Sequence, residues 1–370
     1  MRQFFICSLV AVLGVALCAC NPKEEVQQQP ASDSTATAKY VLTLSPEHIR
    51  LRPGEKTTLS VNLTPISTNP IVWESSDPSV ASVMFGNITA KAEGKTTITA
   101  SCEGVRAFCE VEVATPQYQL IWEENFDGNA LNTSYWTSQT GGGGGNQEKQ
   151  YYTENDNIGI QDGILTITAR KEDYTSPVTG VTYNYTSARL ITKDKIKFTY
   201  GKVEARISMP SGQGTWPAFW MMPNDNVYGG WPKSGEIDIV EHVGSDPRMV
   251  SNAYHTKNHN TSNGTNWGKR TYHDDVEGSF HVYGLMWEED FLDGCPALIF
   301  TFDGDTTAFR VKEENWDWQD WPFDKDFYLI LNLAMGGTWG GTIDDAIFEH
   351  PVEMKVDWVR VYQRKYADEK

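Results

Sequence analysis

Residues 235–241 read Gly-Glu-Ile-Asp-Ile-Val-Glu and place three carboxylates inside an apolar run. The β-branched residues between them favour a strand, in which successive side chains point to opposite faces. Glu236 and Asp238 then share a face, whereas Glu241 joins them only if the strand contains one β-bulge. Crowded carboxylates repel one another, so stability gives no reason to keep them. Glycoside hydrolysis with retention of configuration does need two carboxylates close together, one as nucleophile and one as acid and then base.

Two simpler interpretations of these acids compete with catalysis. An acidic strand edge or a metal site would explain a lone Glu-x-Asp pair at least as well. The third carboxylate in a bulged register and the aromatic content favour catalysis. The chain has 13 Trp, 16 Tyr and 15 Phe residues, which suit both a large β core and a cleft whose flat rings cover the apolar faces of sugars.

Charge and length exclude some functions and bound the architecture. A net charge of −18 argues against nucleic acid as a partner and, more weakly, against polyanionic glycans. The chain of 370 residues suggests two or three units. No Cys/His spacing indicates zinc, and the glycine run at 141–145 lacks the Lys-Ser/Thr of a phosphate loop. We interpret that run as a flexible cleft rim, and we expect the chemistry to need no cofactor.

The N-terminus has the pattern of an exported lipoprotein. Arg2 precedes an apolar stretch at 4–17 that is short for a membrane span and typical of a signal peptide, here residues 1–19. Residues 17–20, Leu-Cys-Ala-Cys, resemble a lipobox with Cys20 as the lipidated residue, although an ordinary secretory signal is the alternative. The pattern predicts an outer-membrane or cell-surface lipoprotein of a Gram-negative bacterium, attached to the membrane through a lipid anchor.

The remaining chain divides into a tether and two all-β domains. Residues 20–39 are polar and too poor in apolar anchors to form a core, so they indicate a flexible tether. Short alternating strands over 40–115 predict a small Ig-like β-sandwich. Cys102 and Cys109 lie in this domain, either as a disulfide across a hairpin or as buried free thiols.

A longer β-rich unit follows the boundary at Thr115-Pro116. Over 117–365, β-branched and alternating segments predict two curved antiparallel sheets, a β-jelly-roll sandwich. Residues 302–305, Phe-Asp-Gly-Asp, predict a hairpin turn.

Both domains resemble known families. Residues 72–81, Val-Trp-Glu-Ser-Ser-Asp-Pro-Ser-Val-Ala, resemble the bacterial Ig-like group 2 domain. The second domain resembles the laminarinase-like branch of glycoside hydrolase family sixteen through an ordered set of motifs. These motifs include Trp-Glu-Glu-Asn-Phe-Asp-Gly at 122–128, Tyr-Gly-Lys-Val-Glu-Ala-Arg-Ile at 200–207 and Asn-Leu-Ala-Met-Gly-Gly-Thr-Trp at 332–339.

The resemblance assigns roles to individual residues. It implies that Glu236 is the nucleophile, Asp238 a supporting carboxylate and Glu241 the acid/base. Asp357 matches a position that helps hold a structural calcium ion in many family members. Trp216 and Trp220 are four residues apart and would share a face of a strand, although core packing also explains them. The complete set of candidate substrate contacts is Asn146, Arg189, Trp216, Trp220, Trp231, His255 and Trp339.

The implied activity is endo-hydrolysis of a β-glycosidic polysaccharide, most simply β-1,3-glucan (laminarin) or mixed-linkage β-glucan. One alternative keeps the chemistry and changes the sugar, as in an endo-β-galactosidase acting on mucin-type O-glycans. Residues 254–260 and 316–321 differ from the sequences usual in laminarinases, and they keep this alternative open. The second alternative is a non-catalytic surface glycan-binding protein, which the intact acidic trio opposes.

Overall fold

The computed structural model describes residues 39–292 and 294–369. The predicted signal peptide, Cys20 and all of the predicted tether except residue 39 lie outside these ranges and stay predictions. The chain divides into two units between Val113 and Ala114. Nearly all regular elements in both units are β-strands, so the all-β prediction is confirmed.

The first unit is a small β-sandwich. Its strands are β1 (Val41–Ser45), β2 (His48–Leu51), β3 (Lys56–Thr58), β4 (Ser60–Thr64), β5 (Val72–Ser75), β6 (Ala81–Met84), β7 (Asn87–Ala90), β8 (Gly94–Cys102) and β9 (Val105–Val113). They form a four-stranded sheet β2-β9-β8-β5, a three-stranded sheet β3-β7-β6 and a β1-β4 pair. Burial alternates along β9 with the period of two that a strand imposes, and its inward residues join one core with Ile88 and Ile98.

Cys102 and Cys109 are buried free thiols. The β8–β9 ladder pairs Cys102 with Val105 and Cys109 with Ile98. The two cysteines therefore do not face each other across the hairpin, which decides between the two alternatives that the sequence left open.

The second unit contains nineteen strands and three short helices in the described ranges. The strands are β10 (Gln117–Glu124), β11 (Thr137–Ser138), β12 (Gly141–Gly142), β13 (Gln150–Tyr152), β14 (Ile158–Gln161), β15 (Ile164–Thr175), β16 (Thr182–Ser187), β17 (Arg189–Ile191), β18 (Lys197–Phe198), β19 (Gly201–Ser208), β20 (Thr215–Pro223), β21 (Glu236–Glu241), β22 (Met249–His255), β23 (Trp267–Tyr272), β24 (Phe280–Leu292), β25 (Cys295–Phe302), β26 (Asp305–Val311), β27 (Phe327–Met335) and β28 (Val352–Lys365). The helices are 3₁₀ turns at Thr261–Asn263 and Asp345–Glu349 and a one-turn α1 (Gly337–Gly340). Among the described residues, no helix has the length and apolar character needed to cross a bilayer.

These strands build two sheets, as the jelly-roll prediction required. The eleven-stranded sheet has the order β12-β13-β16-β15-β28-β19-β24-β25-β26, with β10 beside β28 and β14 beside β15. The eight-stranded sheet has the order β11-β17-β27-β20-β21-β22-β23, with β18 beside β27. The predicted turn at 302–305 joins β25 to β26, and both Asp303 and Gly304 have the positive φ that a tight two-residue hairpin uses.

One hydrophobic core joins the two sheets. Leu165 and Ile207 from the larger sheet and Phe219 and Leu331 from the smaller are all fully buried in it. Since strand residues alternate between faces, turning this set inward presents the other residues of the eight-stranded sheet on its opposite face. That opposite face carries the acidic residues of β21.

Candidate active site

Strand β21 contains the bulge that the spacing predicted. Asp238 and Glu241 are three residues apart, whereas their partners on β22 are only two apart. The extra residue allows the consecutive Ile239 and Val240 both to enter the core. Glu236, Asp238 and Glu241 consequently line the same cavity.

A cavity of about 900 Å³ lies over this face of the eight-stranded sheet. Its lining includes residues from β17, β20, β21, β22, β23 and β27, so it extends across the sheet on both sides of β21. The structure brings all seven predicted substrate contacts to this cavity, namely Asn146, Arg189, Trp216, Trp220, Trp231, His255 and Trp339. Gly144 and Gly145 also line it, which places part of the glycine run at its rim as expected.

Several lining residues were not identified from the sequence. They are Tyr152, Ser251, Ala253, Arg270 and Asn332, among others. A signal existed for Asn332, because a period of two along β27 separates it from the core residues Leu331 and Leu333. No comparable signal marks Arg270, which lies on the largely exposed edge strand β23.

Each glutamate of the trio accepts a hydrogen bond from its own tryptophan. The Nε1–H of Trp231 donates to Glu236 Oε2 at 2.7 Å, and the Nε1–H of Trp216 donates to Glu241 Oε1 at 3.0 Å. Trp216 projects from β20, and Trp231 belongs to the loop between β20 and β21. The two carboxylates are therefore oriented by separate elements. Trp231 remains 45% exposed, which leaves its ring accessible to a ligand.

His255 provides the basic group nearest the trio. The β21–β22 register pairs it with Glu236, and its Nε2 lies 3.3 Å from Asp238 Oδ2 and 3.8 Å from Glu236 Oε1. A cationic imidazole at these distances favours the ionised form of both acids.

Burial and mutual repulsion keep protons in the trio. Burial, followed by the charge of Asp238, raises the pKa of Glu236 to about 8. Burial raises the pKa of Asp238 to about 7. The pKa of Glu241 lies well above its usual range because of burial and then the charges of Asp238 and Glu236. The three groups cannot all be ionised near neutral pH.

A second group of side chains forms the wall on the other side of β20. Trp220 Nε1–H donates to Asn332 Oδ1 at 2.6 Å, and Asn332 Nδ2–H donates to the Tyr152 hydroxyl at 3.2 Å. The Arg189 guanidinium lies 4.7 Å from the centre of the Trp220 ring. These contacts hold an aromatic ring and a cation in fixed positions beside the acids.

Trp339 borders the cavity near Glu241. It makes an edge contact with Trp216 at 5.6 Å between ring centres, and the Arg270 guanidinium lies 5.4 Å from its ring. Its backbone neighbour Thr338 donates to the carbonyl of Asn146 at 2.8 Å. Asn146 and Trp339, both predicted substrate contacts, thus belong to one connected rim of the cavity.

Two groups of side chains bear on metal binding. Asp357 lies outside the cavity on β28, and its Oδ2 accepts from Arg206 Nη1 at 2.5 Å. This ion pair occupies one of the two carboxylate oxygens, and calcium binding at Asp357 stays a prediction. Within the described residues, Glu236, Asp238 and His255 are the one cluster of three or more His, Cys, Asp or Glu side chains whose ligand atoms lie within 4.8 Å of one another, and these side chains already belong to the acidic site.

Comparisons with known proteins agree with this geometry. Residues 145–360 match the model of the glycosyl hydrolases family 16, and residues 41–103 match the bacterial Ig-like domain (group 2). A β-glucanase of Rhodothermus marinus is 41% identical over 260 residues, covering 67% of this chain and 86% of that protein. The X-ray structure of the laminarinase from Rhodothermus marinus superposes with a TM-score of 0.62 at 40% identity, covering 68% of this chain and 99% of that one.

A relative with a different sugar in its name is also similar. The keratan-sulfate endo-1,4-β-galactosidase of Sphingobacterium multivorum is 32% identical over 253 residues, covering 68% of this chain and 56% of that protein. The family match spans more than half of the chain and contains the whole acidic strand. The chain therefore belongs to the glycosyl hydrolases of family 16, and its first unit to the bacterial Ig-like domains of group 2.

Proposed function

We propose that this protein is an endo-acting, retaining β-glucanase that cleaves internal bonds of β-1,3-glucan or mixed-linkage β-glucan. The observation that carries the proposal is the bulged strand, which presents Glu236 and Glu241 to one cavity in a family 16 domain. The named activities of the similar β-glucanase and laminarinase support the choice of sugar. Endo action is supported by the cavity lining, which continues from Arg189 on β17 to Arg270 on β23.

In the first half of the reaction Glu236 attacks the anomeric carbon of the bound sugar. Glu241 donates its proton to the glycosidic oxygen, so that the leaving chain departs as a neutral alcohol. Its raised pKa keeps that proton in place near neutral pH. The Nε1–H of Trp216 fixes the direction of the Glu241 carboxyl.

In the second half, the Glu236 charge has been consumed in the glycosyl–enzyme ester. Loss of that neighbouring charge lowers the pKa of Glu241, which then accepts a proton from the attacking water. Attack from the face vacated by the leaving group restores the original anomeric configuration.

The proton that keeps Glu236 available as a nucleophile can reside on Asp238. The charge of Asp238 raises the pKa of Glu236, so a proton on Asp238 removes that charge and favours an ionised Glu236. The Trp231 N–H, His255 and Arg189 all favour negative charge on Glu236. The pair can therefore carry its single charge on the attacking oxygen while Asp238 holds the proton.

The substrate is tested by incubating the protein with laminarin, barley β-glucan, mucin O-glycans and keratan sulfate in parallel. We expect new reducing ends and a ladder of oligosaccharides from laminarin or barley glucan, because endo cleavage shortens chains from within. The Glu236→Gln variant provides the matched background for each substrate. Release confined to the galactose-containing glycans would overturn the glucanase assignment but not the retaining chemistry.

A second candidate function is endo-β-galactosidase activity. The observation in its favour is the 32% identity to the keratan-sulfate endo-1,4-β-galactosidase. The two activities differ in whether O4 of the sugar at the cleavage point is equatorial or axial. The four-substrate comparison separates them directly.

We also propose that Cys20 carries a lipid that tethers the protein to the outer membrane or cell surface. The support is the Leu-Cys-Ala-Cys pattern at 17–20 after an apolar segment. We expect Cys20→Ala to move the protein from the membrane fraction to the soluble fraction and to abolish labelling with a palmitate analogue. Cys295→Ala is the matched control, because it removes a cysteine far from the signal. Membrane recovery and labelling equal to the parent would disprove anchoring through Cys20.

A further inference from the structure

Residues 316–321, Trp-Asp-Trp-Gln-Asp-Trp, contact the loop that carries Trp231. The Trp318 ring stacks on Tyr228 with 5.2 Å between ring centres and an interplanar angle of 9°. The Tyr228 hydroxyl donates to the Asp324 carboxylate at 2.9 Å, which fixes the tyrosine at its other end. Tyr228 is three residues from Trp231, whose N–H donates to Glu236.

An ammonium group lies over each ring of this stacked pair. Lys257 Nζ lies 5.2 Å from the centre of the Trp318 ring, and Lys325 Nζ lies 5.7 Å from the centre of the Tyr228 ring. A sugar that stacked on either ring would compete with a lysine for the ring face. We therefore interpret these contacts as a link between the Trp318 segment and the Tyr228 loop, and not as a sugar-stacking surface.

The segment of Trp318 also contacts the residues that follow β22. Lys257 follows His255 by two residues, and its ammonium also donates to the Gln319 side chain. The backbone N–H of Asn258 donates to the Gln319 carbonyl at 3.0 Å, and its side chain donates to Asp320 at 2.9 Å. One short segment therefore holds both the loop of Trp231 and the strand end that carries His255.

We infer that Trp318 is a positioning residue, which acts through Tyr228 to hold the Trp231 N–H on Glu236. The inference rests on the proposed role of Glu236 as nucleophile. Trp318 does not line the cavity, so its effect on the reaction has to pass through other residues. Its ring is 37% exposed, so shortening it leaves the hydrophobic core intact.

Loss of the Trp231 hydrogen bond shifts the pKa of Glu236 in one direction. The groups that interact with Glu236 are Asp238 and Glu241 on its own strand, His255 on β22, Arg189 on β17, Tyr328 on β27 and Trp231 from the loop. The Trp231 hydrogen bond lowers the pKa of Glu236. Its loss raises that pKa, so the acid limb of the pH profile moves to higher pH.

The experiment compares Trp318→Ala with the parent across pH on the preferred glucan. We expect kcat/KM to fall about tenfold, the size of a weakened hydrogen bond to a charged group, with most of the change in kcat. We also expect the acid limb of kcat/KM to shift upward. Phe309→Ala is the matched control, because Phe309 is an exposed aromatic of the same unit that lies on β26, outside the cavity lining.

A double-mutant cycle separates positioning from a general loss of structure. In a Trp231→Phe background, which lacks the indole N–H, Trp318→Ala should lower kcat/KM by less than about twofold, since coupled residues are not additive. Trp318→Tyr, which can still stack on Tyr228, should restore most of the activity. A tenfold loss in both backgrounds, or an unshifted acid limb in Trp318→Ala, would overturn the inference. The proposed function is tested separately, by the loss of activity expected in Glu236→Gln.

Discussion

Glu236→Gln is expected to lower kcat by about 10⁴-fold or more, because an amide cannot form the glycosyl–enzyme ester. The substitution keeps the shape of the side chain and its position on β21, so the fold should be unchanged. The measurement is release of reducing ends from the preferred glucan, with tryptophan fluorescence to confirm folding. Twelve of the 13 tryptophans lie in the second unit, so the emission reports on the catalytic domain.

Azide rescue of the alanine variants distinguishes the roles of the two glutamates. In Glu236→Ala, azide can enter the vacated space and attack opposite the leaving group, which gives an inverted glycosyl azide from an activated substrate. In Glu241→Ala the nucleophile remains, so azide attacks the glycosyl–enzyme and gives a product of retained configuration. Asp357→Ala serves as the control, since Asp357 lies outside the cavity. The same stereochemistry from both glutamate variants would contradict the assigned division of roles.

Removing a buried charge from the trio is expected to stabilise the fold. The raised pKa values mean that the folded state binds protons more tightly than the unfolded chain, whose glutamates titrate near pH 4. Stability of the parent is therefore lost as pH rises from that value through the folded pKa, which is about 8 for Glu236. Glutamine does not ionise, so Glu236→Gln and Glu241→Gln lack this pH-dependent loss. Each variant should have a free energy of unfolding about 1–3 kcal/mol higher than the parent near pH 8.

Urea unfolding followed by tryptophan fluorescence at several pH values measures this gain. The difference between variant and parent should disappear below about pH 4, where both states of the parent are protonated. Asp345→Asn is the control of opposite sign, because hydrogen bonds from Lys171 and Tyr185 hold the pKa of Asp345 below its usual value. A destabilised Glu241→Gln at pH 8, or a gain that does not depend on pH, would show that the trio is not strained by its charges.

The position of the acids could be predicted because strand geometry leaves few choices. Side chains two apart share a face, so Glu236 and Asp238 required no further information. Glu241 has the wrong parity for a regular strand, and the bulge that restores it is what the β21–β22 register contains. The same alternation, with family motifs, located Trp216 and Trp220 on the cavity side.

Contacts between elements distant in sequence were not accessible in this way. The hydrogen bond from Trp216 to Glu241 depends on which strand lies beside β21, and the pattern of β20 alone does not specify that neighbour. Arg270 reaches the cavity from an edge strand whose exposed residues carry no periodic signal. The pairing of Asp357 with Arg206 joins β28 to β19 and was hidden for the same reason.

The stereochemical course of the reaction tests the central claim most directly. A proton NMR time course of glucan hydrolysis observes the anomeric proton of the first reducing ends before they mutarotate. Retaining enzymes use a nucleophile and an acid/base on carboxyl groups about 5–5.5 Å apart. If Glu236 and Glu241 act in these roles, the β-anomer is released first. Initial appearance of the α-anomer would mean that water attacks directly, and Glu236 could then not be the nucleophile.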